Sequence, residues 1–132
     1  MAESERGAGS AATTLYGEPG MDITTSSMGK IAVIKPSEDI RVRKIVNLRK
    51  VFDLYIGKQP YLVAIDLSRV QFIDSSGIGL LVNFGKRLHD KNGCLYLFNC
   101  GKELRELLDM MNIYDVVTMI KDAEGLKAIA KG

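Results

Sequence analysis

Residues 74–77 place an acid, two hydroxyls and a glycine together, after the apolar pair Phe72 and Ile73 and before a segment with helical periodicity. Asp and Ser cap helix N-termini because their side-chain oxygens accept hydrogen bonds from the unpaired amides of the first turn. A phosphate there would also meet the positive end of the helix dipole. The pattern predicts an exposed, phosphorylatable serine at a helix start. An ordinary helix cap is the alternative.

Intrinsic catalysis is not expected from the residues around this serine. His89 is the only histidine, and it lies about 20 Å from Ser75 along the same predicted helix at 1.5 Å per residue. The chain has no glycine-rich phosphate-binding loop and no evident pair of catalytic carboxylates. Cys94 and Cys100 are expected to be buried free thiols, and a zinc site would need further ligands. We therefore predict no catalytic residues, no metal and no cofactor.

The elements that must position the serine follow from apolar periodicity. A hairpin over 21–26 and 30–35 comes first, and afterwards strands alternate with helices, which favours an α/β layer with right-handed crossovers. The predicted strands are 21–26, 30–35, 61–67, 95–99 and 116–120, and the predicted helices are 37–56, 75–90, 102–111 and 123–131. The first helix is expected to be capped by Ser37, Glu38 or Asp39. Its inward stripe is Val42, Ile45, Leu48, Phe52 and Tyr55, and that of the third helix is Leu104, Leu107, Leu108 and Met111.

Length and composition indicate one ordinary globular domain. The chain has 132 residues, 46% hydrophobic and 26% charged, with a formal charge of +2. That charge is too small to imply nucleic acid or an anionic membrane as a partner. No apolar run approaches the roughly 18 residues needed to span a bilayer, and no secretory signal is evident, which points to the cytoplasm. Residues 1–20 lack apolar periodicity and are predicted to be a disordered tail, with residues 21–132 as the domain.

The order of elements and the residues of the motif resemble a known family. Residues 74–79 (Asp-Ser-Ser-Gly-Ile-Gly), preceded by Asp-Leu-Ser at 66–68, are similar to the phosphorylation loop of the STAS-domain anti-sigma factor antagonists of bacteria. The resemblance extends from about residue 21 to the C-terminus and implies the STAS fold, a small mixed β-sheet with about four helices. One position departs from the family pattern: Pro-Ser-Glu-Asp at 36–39 replaces a common Gly-Glu-Leu-Asp turn, which keeps the acid and loses the glycine.

The resemblance implies partner switching. In that family the unphosphorylated antagonist binds an anti-sigma factor that is also a serine kinase, and a sigma factor is released. The kinase phosphorylates the antagonist with ATP, which ends binding, and a metal-dependent serine phosphatase resets the switch. Carried over by position, Ser75 is the expected phosphoacceptor, with Ser76 as the second choice. The free chain is expected to be a monomer that contacts neither nucleic acid nor membrane directly.

The second helix is apolar over more of its circumference than one buried face requires, since Leu80 and Phe84 lie at or beyond the edge of its inward stripe. A wide core contact is one explanation, and a partner patch beside Ser75 is the other. The patch would include Asp74, Ser75, Ser76, Gly77, Ile78, Gly79, Leu80, Asn83, Phe84 and Arg87.

Two further alternatives stay open at this point. The basic residues of the first helix (Arg41, Arg43, Lys44, Arg49 and Lys50) form either a solvated face or a docking surface for an acidic partner. The domain as a whole could instead be a non-switching STAS subunit of a lipid-transport or stress-signalling complex, or a small-molecule binding module.

Overall fold

Six strands form one sheet in their order along the chain. The computed structural model describes residues 13–15 and 21–131. The elements are β1 (Thr13–Leu15), β2 (Ile23–Met28), β3 (Ile31–Pro36), a 3-10 helix (Val42–Lys44), α1 (Val46–Ile56), β4 (Leu62–Asp66), α2 (Ser75–Asp90), β5 (Cys94–Phe98), α3 (Lys102–Met111), β6 (Thr118–Met119) and α4 (Ala123–Lys131). This confirms the predicted mixed sheet with four helices.

The sheet changes from antiparallel to parallel after the opening hairpin. The pairs β1–β2 and β2–β3 are antiparallel, whereas β3–β4, β4–β5 and β5–β6 are parallel. Each parallel pair is joined by a helix, and each crossover moves one strand further in the same direction. Crossovers of one hand that move in one direction place their helices on the same face of the sheet. The polar loop between β4 and α2 therefore lies at the carboxyl edge of the parallel strands.

Alternating strand residues supply two cores. Ile34 and Ile65 face the larger core, which includes buried side chains of α1, α2 and α3. Their neighbours Val33 and Ala64 face the smaller core, which is covered by Leu126 of α4. The two-residue period of the strands thus assigns α2 and its motif to the face opposite α4.

The ring of Phe84 belongs to the larger core. It stacks on Phe52 of α1 with ring centroids 4.1 Å apart and planes 8° from parallel, and it is 1% exposed. The expectation that Phe84 lines a partner patch is therefore wrong, and the wide core contact is correct at this position. Because α2 packs against both β5 of the sheet and helix α1, it buries a broader stripe than one contact would require.

The start of the first helix also differs from the prediction. Residues 37–41 are not helical, a 3-10 turn begins at Val42, and α1 begins only at Val46. Ile40 forms an isolated parallel bridge with Ile73, which requires extended backbone. Asp39 accepts hydrogen bonds from a distant loop and does not cap the helix.

Three other expectations are corrected. Val42 is 56% exposed and Met111 46% exposed, so neither belongs to an inward stripe. Thr13–Leu15, predicted to lie in a disordered tail, form β1 and pair with β2. The rest of the predicted tail lies outside the described residues. Both cysteines are free, as predicted, but they are half-buried and not buried.

We expect Phe84→Ala to lower the free energy of unfolding by about 3–5 kcal/mol, because it removes a buried ring and leaves a cavity beside Phe52. Urea unfolding followed by circular dichroism measures the change. The matched control is Leu54→Ala on α1, where the side chain is 49% exposed and the expected change is within about 0.5 kcal/mol. Equal losses in the two variants would contradict the core assignment.

Candidate functional site

The carboxylate of Asp74 joins two separate parts of the chain. Its Oδ1 accepts a hydrogen bond from the Gly77 amide at 2.9 Å, which caps α2. Its Oδ2 accepts one from the Val42 amide at 2.8 Å, at the start of the 3-10 helix. The sequence predicted the first bond from residue type and spacing. The second bond spans 32 positions and had no sequence signal.

These bonds hold Asp74 in its charged form. The hydrogen bond from the Gly77 amide is the largest influence and lowers the pKa of Asp74 below its ordinary value of 3.8. Desolvation opposes this shift, whereas the Val42 and Ser76 amides and the positive charge of Arg41 add to it. A carboxylate that accepts several backbone hydrogen bonds favours ionisation. Asp74 is therefore a fixed negative charge beside the serines at neutral pH.

A second carboxylate secures the loop that precedes the motif. Asp39 Oδ1 accepts hydrogen bonds from the amides of Gln71 at 2.7 Å and Phe72 at 3.2 Å. Backbone bonds continue the connection, since the Ile40 amide donates to the Phe72 carbonyl and the Asp74 amide donates to the Ile40 carbonyl, each at 3.0 Å. Asp39, the acid that this turn keeps from the family pattern, thus holds the loop that leads into α2.

Arg41 covers the outer side of this connection. Its guanidinium lies 3.4 Å from Asp39 Oδ2 and 4.8 Å from the centroid of the Phe72 ring. Phe72 is 38% exposed, so an apolar ring and a cation are presented together beside the start of α2. Sequence reasoning did not assign Phe72 or Asp39 to the site, because their proximity depends on long-range pairing.

The two serines differ in accessibility. Ser75 is the first residue of α2 and is exposed, whereas Ser76 is half-buried. Within residues 13–15 and 21–131, no side chain donates to or accepts from the Ser75 hydroxyl, so no base is in place to activate it. The hydroxyl is accessible to an external enzyme, which is the geometry that a phosphoacceptor needs.

The remaining residues of the predicted patch divide by burial. Gly79 and Asn83 are exposed, and Arg87 is half-buried with its guanidinium 3.1 Å from Asp53 of α1. Three further residues of the predicted patch are buried together with Phe84: Gly77, Ile78 and Leu80. Only the exposed and half-buried members can contribute substantial area to a partner contact.

A groove runs between these accessible residues of α2 and the segment that comprises the 3-10 helix and the start of α1. The α1–α2 groove, with a volume of about 330 Å³, is lined by Val42, Ile45, Arg49, Ser76, Gly79, Leu80 and Asn83. Leu80, at 9% exposure, supplies part of its apolar lining. A larger open depression of about 670 Å³ lies between residues 67–71 and the start of α3, but Ser75 and Ser76 do not line it.

The described residues contain no group of three or more His, Cys, Asp and Glu side chains that could hold a metal ion. No helix among residues 21–131 is long and apolar enough to cross a bilayer.

Fold and site together define a class of protein: a small α/β domain that presents an exposed serine on a capped helix beside an open groove. The chain belongs to the STAS domain family, since residues 22–125 match that family's sequence profile.

A sequence relative extends the comparison. The anti-sigma-B factor antagonist of Listeria monocytogenes is 30% identical over 79 residues, which cover 60% of this chain and 68% of the relative.

Two solved structures share the fold. One is an anti-sigma-factor antagonist (STAS) domain protein from Planctomyces limnophilus, with a TM-score of 0.74 and 23% identity over 83% of this chain and 98% of that chain. The other is the Bacillus cell fate determinant SpoIIAA in its phosphorylated form, with a TM-score of 0.60 and 16% identity over 90% of this chain and 99% of that chain. At these identities the structures establish the fold alone.

We expect Asp74→Ala to lower the free energy of unfolding by about 1–2 kcal/mol at pH 7, because the helix loses its cap. The pKa of Asp74 is lowered in the folded protein, so its contribution is present above pH 3.8 and is lost as the pH falls through the folded value. Urea unfolding at pH 7 and at pH 3 measures both effects. The control, Asp90→Ala at the other end of α2, should not be destabilised. If Asp74→Ala lowered the free energy of unfolding equally at pH 7 and at pH 3, the role of the charged cap would be contradicted.

The two glycines of the motif should respond oppositely to alanine. A Cβ at Gly77 would lie 2.6 Å from Ile73 Cγ2 and 2.7 Å from Ile40 Cγ2, so Gly77→Ala should destabilise the fold through overpacking. Apart from its neighbours in the helix, a Cβ at Gly79 would meet no atom of residues 13–15 and 21–131 within 4 Å. Gly79→Ala should therefore stabilise the fold by about 0.5–1 kcal/mol through helix propensity. Thermal unfolding measures both changes in stability. If the two substitutions changed the stability in the same direction, this packing would be contradicted.

Proposed function

We propose that this protein is an anti-sigma factor antagonist that works by partner switching. In the unphosphorylated form it binds an anti-sigma factor that is also a serine kinase, and a sigma factor is released. Phosphorylation of Ser75 by that kinase ends the binding. The observation that carries the proposal is the exposed Ser75 hydroxyl, at the first position of a capped helix and beside an open groove.

The names of the relatives support the regulatory role. The Listeria relative is named an antagonist of an anti-sigma factor, and SpoIIAA has been solved in both unphosphorylated and phosphorylated forms. A phosphate on a STAS fold is therefore compatible with a folded domain. We carry the site to Ser75 by its position after Asp74, and Ser76, which is half-buried, remains the second candidate.

The local electrostatics suggest how phosphorylation would act. A phosphate adds about −1.5 to −2 charges, and Asp74 already places a carboxylate at the helix start. The Gly77 amide is already bonded to Asp74, and the Ser76 amide also interacts with it. The phosphate therefore cannot use these amides without displacing Asp74. A partner that covers this surface would have to desolvate two adjacent negative groups, which can cost a few kcal/mol.

The proposal includes no catalytic activity for this chain. The kinase supplies the base and ATP, and a metal-dependent serine phosphatase removes the phosphate. The proposed location is the cytoplasm, where a sigma factor and ATP are both accessible. Direct contact with nucleic acid is not part of the proposal.

We expect Ser75→Asp to weaken kinase binding by two to three decades, because a fixed negative charge joins Asp74 at the contact; a decade corresponds to about 1.4 kcal/mol. Ser75→Ala should bind like the unmodified chain and should not accept phosphate. Isothermal titration with each candidate anti-sigma kinase of the source genome measures binding. Intact mass after incubation with ATP, followed by peptide mapping, measures phosphorylation.

The matched control is Ser76→Ala, which should still gain one phosphate. A phosphate that persists in Ser75→Ala and maps to Ser76 would move the site and leave the switch intact. Tight binding by Ser75→Asp would contradict the electrostatic mechanism. If a kinase binds the chain but never phosphorylates it, the non-switching subunit of a larger complex becomes the better assignment.

A further inference from the structure

An exposed apolar surface continues from the α1–α2 groove onto α1. Val42 lines the groove and is 56% exposed, and Val46 beside it is 41% exposed. Large apolar side chains at this exposure are not required for the packing of the domain. Together with Gly79 on the opposite wall, they form an open apolar strip about one helical turn from the serines.

The segment that carries Val42 and Val46, residues 41–50, is also rich in basic side chains. Within residues 13–15 and 21–131, Arg41 and Lys44 pair with Asp39 and Glu38. By contrast, no ion pair to a described residue occupies Arg43, Arg49 or Lys50, and all three are exposed. Arg49 also lines the groove. Val42, Ile45 and Leu80 therefore give the groove an apolar lining, and Arg49 adds a positive charge that no described acid neutralises in an ion pair.

An ion pair between the two helices lies beyond the far end of the groove. Arg87 of α2 and Asp53 of α1 meet at 3.1 Å, one turn beyond the groove residues Asn83 and Arg49 along their helices. A bound segment can therefore lie between the serines and this ion pair, over roughly two turns of α2.

We propose that the α1–α2 groove binds an acidic amphipathic segment of the partner, with an apolar side chain over Gly79 and carboxylates against Arg49 and its basic neighbours. The inference rests on the proposed function, because the partner is the anti-sigma kinase. It adds the chemistry of the segment that docks and assigns a role to the first helix. Basic side chains at the rim of a contact raise the association rate and set specificity for an acidic surface.

Gly79 gives independent support for a close approach at this point. Glycine in an exposed helix interior costs about 0.5–1 kcal/mol relative to alanine, and a Cβ here would meet no non-neighbouring atom of the described residues within 4 Å. Packing inside the domain thus gives no reason for a missing side chain. A partner side chain that fills the space above Gly79 does give one.

A protein segment fits this surface better than nucleic acid. The groove is lined by Val42, Ile45 and Leu80 and offers no aromatic side chain for base stacking. Val46 would remain exposed to solvent against a phosphate backbone but would be covered by an amphipathic segment.

The test uses the full chain and a kinase of the source genome that binds it. Arg49→Glu should weaken binding at least tenfold and reduce its salt dependence, and Gly79→Leu should weaken it at least tenfold by filling the groove. Lys121→Glu, an equal charge reversal outside the groove, should bind within twofold of the unmodified chain. Thermal unfolding confirms that each variant is folded, and Gly79→Ala supplies a variant of raised stability at the same position.

The outcomes separate this inference from the proposed function. If the kinase binds the unmodified chain and Arg49→Glu equally, the acidic segment is excluded while partner switching stands. A loss in Gly79→Leu alone keeps the groove as a contact and overturns its charge chemistry. If no candidate kinase binds the unmodified chain, the proposed function fails and this inference fails with it. Binding of duplex DNA that Arg49→Glu abolishes would assign the basic side chains of residues 41–50 to nucleic acid and overturn the inference.

Discussion

The site depends on one carboxylate that accepts hydrogen bonds from two distant segments. Asp74 caps α2 through the Gly77 amide and holds the 3-10 helix through the Val42 amide. The position of Val42, and so one wall of the α1–α2 groove, is fixed to the start of α2. Asp39 reinforces the connection by accepting the amides of Gln71 and Phe72. The start of α2, the loop before it and the 3-10 helix are therefore held together by hydrogen bonds to these two carboxylates.

In the proposed switch, the same interaction would let a phosphate act without unfolding the domain. The cap satisfies first-turn amides whether or not Ser75 is modified, so α2 keeps its start. The Gly77 amide is already engaged by Asp74, so a phosphate on Ser75 would lie beside the fixed charge of Asp74. In the proposed switch, its effect would then fall on a partner that approaches this surface.

Gly77 and Gly79, three and five positions after the cap, have different roles. Gly77 is required by packing, since Ile40 and Ile73 occupy the space where its side chain would be. Gly79 leaves open space among the described residues, so their packing does not require a glycine there. An identical residue type is thus structural at one position and available for function at the other, and only the surrounding atoms distinguish them.

Local pattern alone predicted the opening hairpin, the alternation of strands with four helices and the cap at Asp74, because apolar periodicity and capping act within a few residues of the chain, whereas the small mixed sheet was implied by the family resemblance. Local pattern failed where distant segments meet. Phe84 lay at the edge of an apolar stripe but is buried against Phe52, and Asp39 had the residue type of a helix cap but bonds to a distant loop. Tertiary structure decided these cases, because the burial of a helix face and the partner of a carboxylate depend on which segments the sheet topology brings together.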